Sequence, residues 1–363
     1  MPLITVALLF GGRSSEHTIS CATAGGVLAA IDRSKYRVIP IGITRAGAFT
    51  LEDDDAAKFV LDPANMPQIV DNGTRILWPE SSATRELRFV DAAGDTHSLG
   101  DIDIVFPILH GPMGEDGSLQ GMLELLDLPY VGDGVLASAI GMDKHYAKIV
   151  FSHAGIPVAP GFTATAREWI NEPDAVAARA ESLGWPVFVK PARAGSSIGV
   201  TRVASAAELG AAMAVGLAED SKVLIEVAIV GREIECGVLG GRGGGATRVS
   251  LPGEIVVSGR SFYDFDAKYL DAPGIDLVCP ASISPEQLAV LRDLAARAFD
   301  AIGGAGLARA DFFLTDSGFI INEVNTMPGF TPISMFPKCW EASGVGYTQL
   351  IDELIELGLE TVR

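Results

Sequence analysis

The chain has 363 residues with 27 basic and 46 acidic side chains, a net charge of −19, and so presents no basic face to nucleic acid or to an anionic membrane; any anion must be met by a local group of cations. Its 48% hydrophobic content, 7% aromatic content and 41 glycines exclude disordered and fibrous classes and describe a folded α/β protein rich in Ala, Val and Gly. The length exceeds one ordinary core, so two or three domains are expected. Cys21, Cys236, Cys279 and Cys339 form no CxxC pair, which removes the usual zinc and disulfide signatures and suits buried thiols in a reducing compartment. No apolar run is long enough to cross a bilayer, so the expected location is the cytoplasm.

In chain order, Leu3 to Phe10 predicts a buried strand, followed by Gly11-Gly12-Arg13 and a helix to Ile31 that Ser14-Ser15-Glu16-His17 would cap. Val38 to Ile43 predicts a second strand. Residues 45 to 100 read as an irregular inserted edge, with a solvated acidic run at 52–55 and short β-like pieces at 76–78 and 87–90. Ile102 to Leu109 is a further parallel-type strand and Leu119 to Leu126 a helix, which together identify an open α/β layer. A boundary falls near Val131-Gly132-Asp133-Gly134, after which Ser138 to His153 reads as one long helix. Residues 185–191 and 200–203 predict strands flanking a glycine loop, 206–218 a helix, 222–227 and 232–239 strands. A long loop then runs through Tyr263 to Tyr269, and a helix covers 285–302.

The segments Arg309 to Leu314 and Phe319 to Asn325 predict a β-hairpin closed by the three-residue loop Asp316-Ser317-Gly318, with Gly318 left-handed. That register places Asp311 opposite Glu323 and Arg309 opposite Asn325, all on one face. Opposed carboxylates repel, so either a divalent cation sits between them or Arg309 pairs with Asp311 on a solvated face. Lys190 followed by Arg193-Ala194-Gly195-Ser196-Ser197-Ile198-Gly199 suits a phosphate cradle or a plain hairpin turn; it matches neither GxxxxGK[ST] nor GxGxxG. Lys144, Lys190, Lys268 and Arg309 together would balance a triphosphate. Glu16 either caps the first helix or faces a cleft and takes an ammonium group. His17 and His110 lack metal-ligand spacing to each other.

Taken in order, these motifs resemble the D-alanine:D-alanine ligases of the ATP-grasp superfamily over nearly the whole chain. The resemblance rests on 11–17, His110-Gly111 with 114–117, Met142-Asp143-Lys144, Lys190-Pro191 with 195–199, 262–264 with 267–269, Arg309-Ala310-Asp311 and 322–329. It implies a three-domain ATP-grasp architecture of mixed α/β class: an N-terminal open parallel sheet over 1–133, and two further domains, over 134–227 and 228–363, clamping ATP. The implied reaction joins two D-alanines through an acyl phosphate for peptidoglycan synthesis, with D-lactate ligation or a silent ATP-binding regulator as alternatives. By resemblance, Lys144, Lys190, Ser196, Ser197, Glu226, Glu233, Lys268, Asn322 and Glu323 bind ATP, with adenine near Glu226 and the ribose on Glu233. Asp311, Glu323 and Asn325 hold two magnesium ions, for which manganese can substitute. Glu16, Ser196 and Tyr269 form a hydrogen-bonded set over the site, and Arg309 with the Gly329 amide meets the oxyanion. Glu16, His110, Arg309, Ser334 and Met335 contact substrate. The resemblance also implies a homodimer, and Tyr269 with Lys268 favours the dipeptide product. Two departures stand out: Val227 replaces a lysine found in some members, and the 45–100 segment is longer than in shorter ones.

Overall fold

The fold comes from a computed structural model that describes residues 2–62, 64–257 and 275–360. The first strand β1 (Ile4–Gly11) is buried at seven of its eight positions, which is why it reads as a continuous apolar run: it lies inside a parallel layer covered on both faces. It pairs in parallel with β2 (Tyr36–Ile43) on one side and later with the strand Ile104–Ile108 on the other. The helix α1 (His17–Ala30) packs on this layer.

The segment expected to be irregular is more ordered than its sequence suggests. β3 (Phe49–Leu51) adds an antiparallel edge to β2, while β4 (Arg75–Leu77), β5 (Glu86–Val90) and β6 (Thr96–Asp101) form a separate antiparallel sheet. The parallel strand Ile104–Ile108 is β7, and α2 (Ser118–Leu125) follows it.

Helix 138–153 is two helices, α3 (Val135–Met142) and α4 (Lys144–His153). Asp143 breaks the run because it leaves helical backbone and its carboxylate accepts from the His145 and Tyr146 amides, making it the N-cap of α4. β8 (Gly161–Thr165), the helices α5 (Ala166–Asn171) and α6 (Pro173–Leu183), β9 (Val187–Pro191), β10 (Thr201–Val203), α7 (Ala206–Glu219) and β11 (Lys222–Val227) complete the middle of the chain. Its antiparallel sheet runs β10-β9-β11-β8.

The last third of the chain holds a five-stranded antiparallel sheet. β12 (Arg232–Leu239) pairs with β13 (Arg248–Val257), a strand where the sequence reads as loop, since Pro252 and Gly253 at its centre look like a turn. β14 (Ile275–Val278), α8 (Pro285–Ala301), β15 (Leu307–Thr315), β16 (Gly318–Asn325), α9 (Met335–Ala342) and α10 (Tyr347–Glu360) follow. The sheet order is β14-β13-β12-β15-β16, and α8 covers one face with Leu291, Leu294, Ala295 and Phe299. Helix α10 returns to the first layer, burying Leu350, Ile351 and Leu354 with Val6 and Phe106. All four cysteines are free, and Cys279 and Cys339, distant in sequence, face each other at 3.9 Å. No helix among the described residues is long and apolar enough to cross a membrane.

The 131–134 boundary segment lies directly on the start of β15. Asp133 Oδ1 accepts from the Ala305 and Gly306 amides at 2.8 and 3.1 Å, and a Cβ on Gly306 would fall 2.5 Å from the Gly132 main chain. Gly306→Ala should therefore cost about 1–3 kcal/mol of stability through overpacking. Urea denaturation measures it, and an unchanged midpoint would contradict this account of the junction.

Candidate active site

A cleft of about 420 Å³ opens between the middle sheet and the C-terminal sheet. Of the residues expected to act, Lys144, Lys190, Ser196, Ser197, Glu233, Asp311, Asn322 and Glu323 line it. Lys144 owes its position to the helix break: as the first residue of α4 it donates its amide to Ala192 at 2.9 Å, and its ammonium to the Ala194 carbonyl at 2.8 Å. The same ammonium lies 3.0 Å from Glu323.

On the hairpin, Asp311 opposes Glu323 and Arg309 opposes Asn325, as the strand period predicts. The tip differs. Thr315 pairs with Gly318, so the turn has two residues, Asp316-Ser317, and Gly318 takes φ +116°. A bulge after Asp311 restores the register, leaving Asn322 as the extra residue on β16. Lys190 donates to the Asn322 side-chain oxygen at 3.3 Å.

The opposed carboxylates do not need a metal ion to coexist. Arg309 grips Asp311 through two bonds of 2.7 and 2.8 Å and lies 3.1 Å from Glu235, while Asn325 donates to Asp311 at 2.9 Å. With Lys144 on Glu323, the chain supplies its own counter-charges. The Arg309–Asp311 pair of the alternative reading is thus present, but on a face that is half-buried or better and not on a solvated one. Among the described residues no cluster of three or more His, Cys, Asp or Glu side chains forms a self-contained metal cage. The donor set here is two carboxylates and two carboxamides, all hard oxygen donors. It fits a cation such as magnesium that completes its shell with phosphate oxygens and water.

Glu226, at the end of β11, is buried beneath the cleft. Its carboxylate lies 2.6 Å from Lys190 and 2.8 Å from Lys148. Burial disfavours its charge, but the two ammonium groups outweigh that and hold its carboxyl down to about 2. Lys148 is the residue that sequence reasoning missed. It resembles any surface lysine on a helix; the one signal is its place a turn after Lys144, on the same face of α4.

Glu16 is 6% exposed and stands at the N-cap position of α1, but its side chain makes no capping hydrogen bond. Its Oε1 instead accepts from Ser196 Oγ at 2.5 Å. Ser196 and Ser197 reach this position with φ of +52° and +57°, a left-handed conformation unusual for serine. Ser14 orients the segment, donating to the His110 carbonyl and accepting from the Glu16 amide. Burial lowers the pKa of His110, whose Nδ1 bonds the Met327 carbonyl at 3.0 Å. Glu115, quoted in the sequence motif without a role, accepts from the Gly111 and Met327 amides, and burial with the nearby Glu16 charge pushes its carboxyl up to about 8.

Ser334 stands at the N-cap position of α9 and shares hydrogen bonds with Thr331; a Cβ on Gly329 would lie 3.2 Å from its hydroxyl. Met335 is buried with Ile255 and Cys339, so only its main chain remains for a ligand. Lys268 and Tyr269 lie outside the described residues.

Two family models cover the chain: the D-ala D-ala ligase N-terminus over residues 5–133 and the D-ala D-ala ligase C-terminus over residues 150–356. The chain belongs to the D-alanine–D-alanine ligase family. A D-alanine–D-alanine ligase of Arthrobacter sp. (strain FB24) is 53% identical over 357 residues, 98% of this chain and 94% of the relative. The equivalent ligase of Kineococcus radiotolerans is 51% identical, covering 99% and 97%. Among solved structures, the D-alanine-D-alanine ligase from Coxiella burnetii superposes with a TM-score of 0.82 at 35% identity, covering 99% of this chain and 94% of that one. The VanG D-Ala:D-Ser ligase from Enterococcus faecalis gives 0.84 at 34% identity, covering 98% and 100%. The ATP-grasp architecture expected from the sequence is thus the one the chain has.

The raised carboxyl of Glu115 makes a pH signature. Its folded pKa lies near 8 and its unfolded value near 4.5, so the stability it contributes is complete below 4.5 and is lost as pH rises to 8. Relative to the parent, Glu115→Gln should gain stability steadily over that interval. Urea unfolding at pH 5, 6.5 and 8 reads the trend; a pH-independent difference would show that Glu115 is ionised throughout.

Proposed function

We propose that the chain joins two molecules of D-alanine into D-alanyl-D-alanine with ATP as co-substrate, for peptidoglycan synthesis. The observation that carries the site assignment is the Ser196–Glu16 contact, which sets an ammonium-seeking carboxylate at the edge of a cleft walled by Lys144, Lys190, Asp311 and Glu323. The N-terminal domain, residues 1–133, then holds the first D-alanine, and the domains over 134–227 and 228–363 enclose the nucleotide.

Glu16 receives the ammonium of the first D-alanine, leaving its carboxylate toward the γ-phosphoryl group. Lys144, Lys190 and the Ser196-Ser197 loop grip the phosphates, Glu233 takes the ribose, and the strand end after Glu226 takes adenine through main-chain groups. Asp311, Glu323 and Asn325 would hold magnesium, which supplies charge neutralisation at the transferring phosphoryl group. Phosphorylation gives the carboxyl a good leaving group, and the amine of the second D-alanine attacks the acyl carbon. Arg309, fixed by Asp311 and Glu235, and the Gly329 amide stabilise the oxyanion; Ser334 and the Met335 main chain take the second carboxylate, with His110 beside them.

Offered D-alanine and D-lactate together with ATP, the enzyme should release ADP in proportion to a dipeptide identified by mass, and Glu16→Gln should raise KM for the first D-alanine about tenfold or more while changing KM for ATP little. A dominant depsipeptide, or equal loss for both substrates, would overturn the reading. A homodimer suits the exposed apolar side chains of Leu125 and Leu136, on α2 and α3, at 84% and 67% exposure. Sedimentation should give twice the chain mass of 38.0 kDa, reduced to one mass by Leu125→Asp with Leu136→Asp; a monomeric parent would refute it.

A further inference from the structure

Lys148 lies outside the wall of the cleft, yet its ammonium is buried beneath it with a side-chain exposure of 10%. It pairs with one oxygen of Glu226 at 2.8 Å while the other oxygen of Glu226 takes Lys190 at 2.6 Å. Of these three groups only Lys190 lines the cleft. Two ammonium groups and one carboxylate leave a net charge of one, and the geometry puts that surplus at Lys190. Without Lys148, Glu226 and Lys190 would form a closed neutral pair, with the Lys190 ammonium held down against the strand end and its charge cancelled. A buried pair in a low-dielectric site interacts strongly, so the loss would be felt at the cleft surface.

We propose that Lys148 is a positioning residue for the ligase reaction: it neutralises Glu226 from below, so that Lys190 keeps its charge for the nucleotide phosphates. This rests on the reading of Lys190 as a phosphate contact. Lys148 touches neither substrate nor reacting atoms and acts through Glu226 alone.

Steady-state kinetics on the full chain test it. Lys148→Met should raise KM for ATP about tenfold, with KM for the first D-alanine changed less than twofold, because Glu16 and Ser196 are untouched. Lys148→Arg, which keeps the charge, should stay within about threefold of the parent. The decisive variant is Lys148→Met combined with Glu226→Gln. Removing the carboxylate as well frees Lys190 again, so the double variant should regain most of the ATP affinity that Lys148→Met loses. A purely structural role for Lys148 predicts that the double variant is at least as impaired as the single and that both substrates suffer together; either result overturns the proposal. Should Lys148→Met fail to fold, judged by its circular dichroism and thermal midpoint, Lys148→Gln drops the charge while keeping a donor to Glu226 and carries the same expectation. Lys190→Met is measured in parallel. If it leaves KM for ATP unchanged, the phosphate reading of Lys190 is what fails; if it raises KM while Lys148→Met does not, only the relay through Glu226 fails.

Discussion

Glu226 is a carboxylate with 2% of its surface exposed, and the way it is neutralised determines how the layers of this chain are held together. A charge withdrawn from water costs several kcal/mol unless it meets partners of good geometry. Here one oxygen meets the Lys190 ammonium from β9 at 2.6 Å, and the other lies 2.8 Å from the Lys148 ammonium of α4, a charge contact without hydrogen-bond alignment. At the opposite end of β11, Lys222 bonds Asp143, the cap of α4, at 2.6 Å. The strand and the helix are therefore clipped together at two separate points. The apolar face of α4, with Ala147 and Phe151, is buried against the C-terminal sheet and α8. One helix of ten residues thus binds the middle sheet by charge and the C-terminal sheet by packing.

The hairpin follows the same logic with the signs reversed. Ala308, Ala310 and Phe312 alternate into the core beneath the sheet, which leaves Arg309 and Asp311 on the cleft side. The acidic groups there outnumber what solvent could screen, and Arg309, shared between Asp311 and Glu235, with Lys144 on Glu323, makes the arrangement stable in its own right. A chain of net charge −19 has gathered several of its 27 basic residues at this one place. These cations offset the carboxylates that line the cleft, Glu233, Glu235, Asp311 and Glu323, which would otherwise repel a polyanion there.

Much of this was legible because strand periodicity and motif order are short-range properties. Asp311 opposite Glu323 follows from counting along two strands, and the pairing at the site end survives although the turn is one residue shorter than the sequence suggests. What stayed hidden depends on tertiary partners. Asp143 looks like an interior residue of a long helix until its carboxylate is seen capping the next one. The strand Arg248–Val257 is masked by Pro252 and Gly253, which only a neighbour such as Met335, filling the space above Gly253, makes tolerable. The pairing that gives Glu323 a counter-charge within the chain, Lys144 with Glu323, joins residues far apart in sequence, and the burial of Lys148 depends on partners in other elements.

The bulge at Asn322 separates two registers within one hairpin. Toward the tip, Thr315 to Gly318 answers only to the turn; toward the cleft, Asp311 and Glu323 answer to the sheet. The tip is consequently insulated from the chemistry. An added or removed residue there is taken up by local rearrangement of the turn without flipping the acidic side chains to the other face, as a slip would in an unbroken ladder. With Asp316 and Ser317 exposed, this turn is a natural place to graft a label or a tether onto the enzyme while leaving its working face in register.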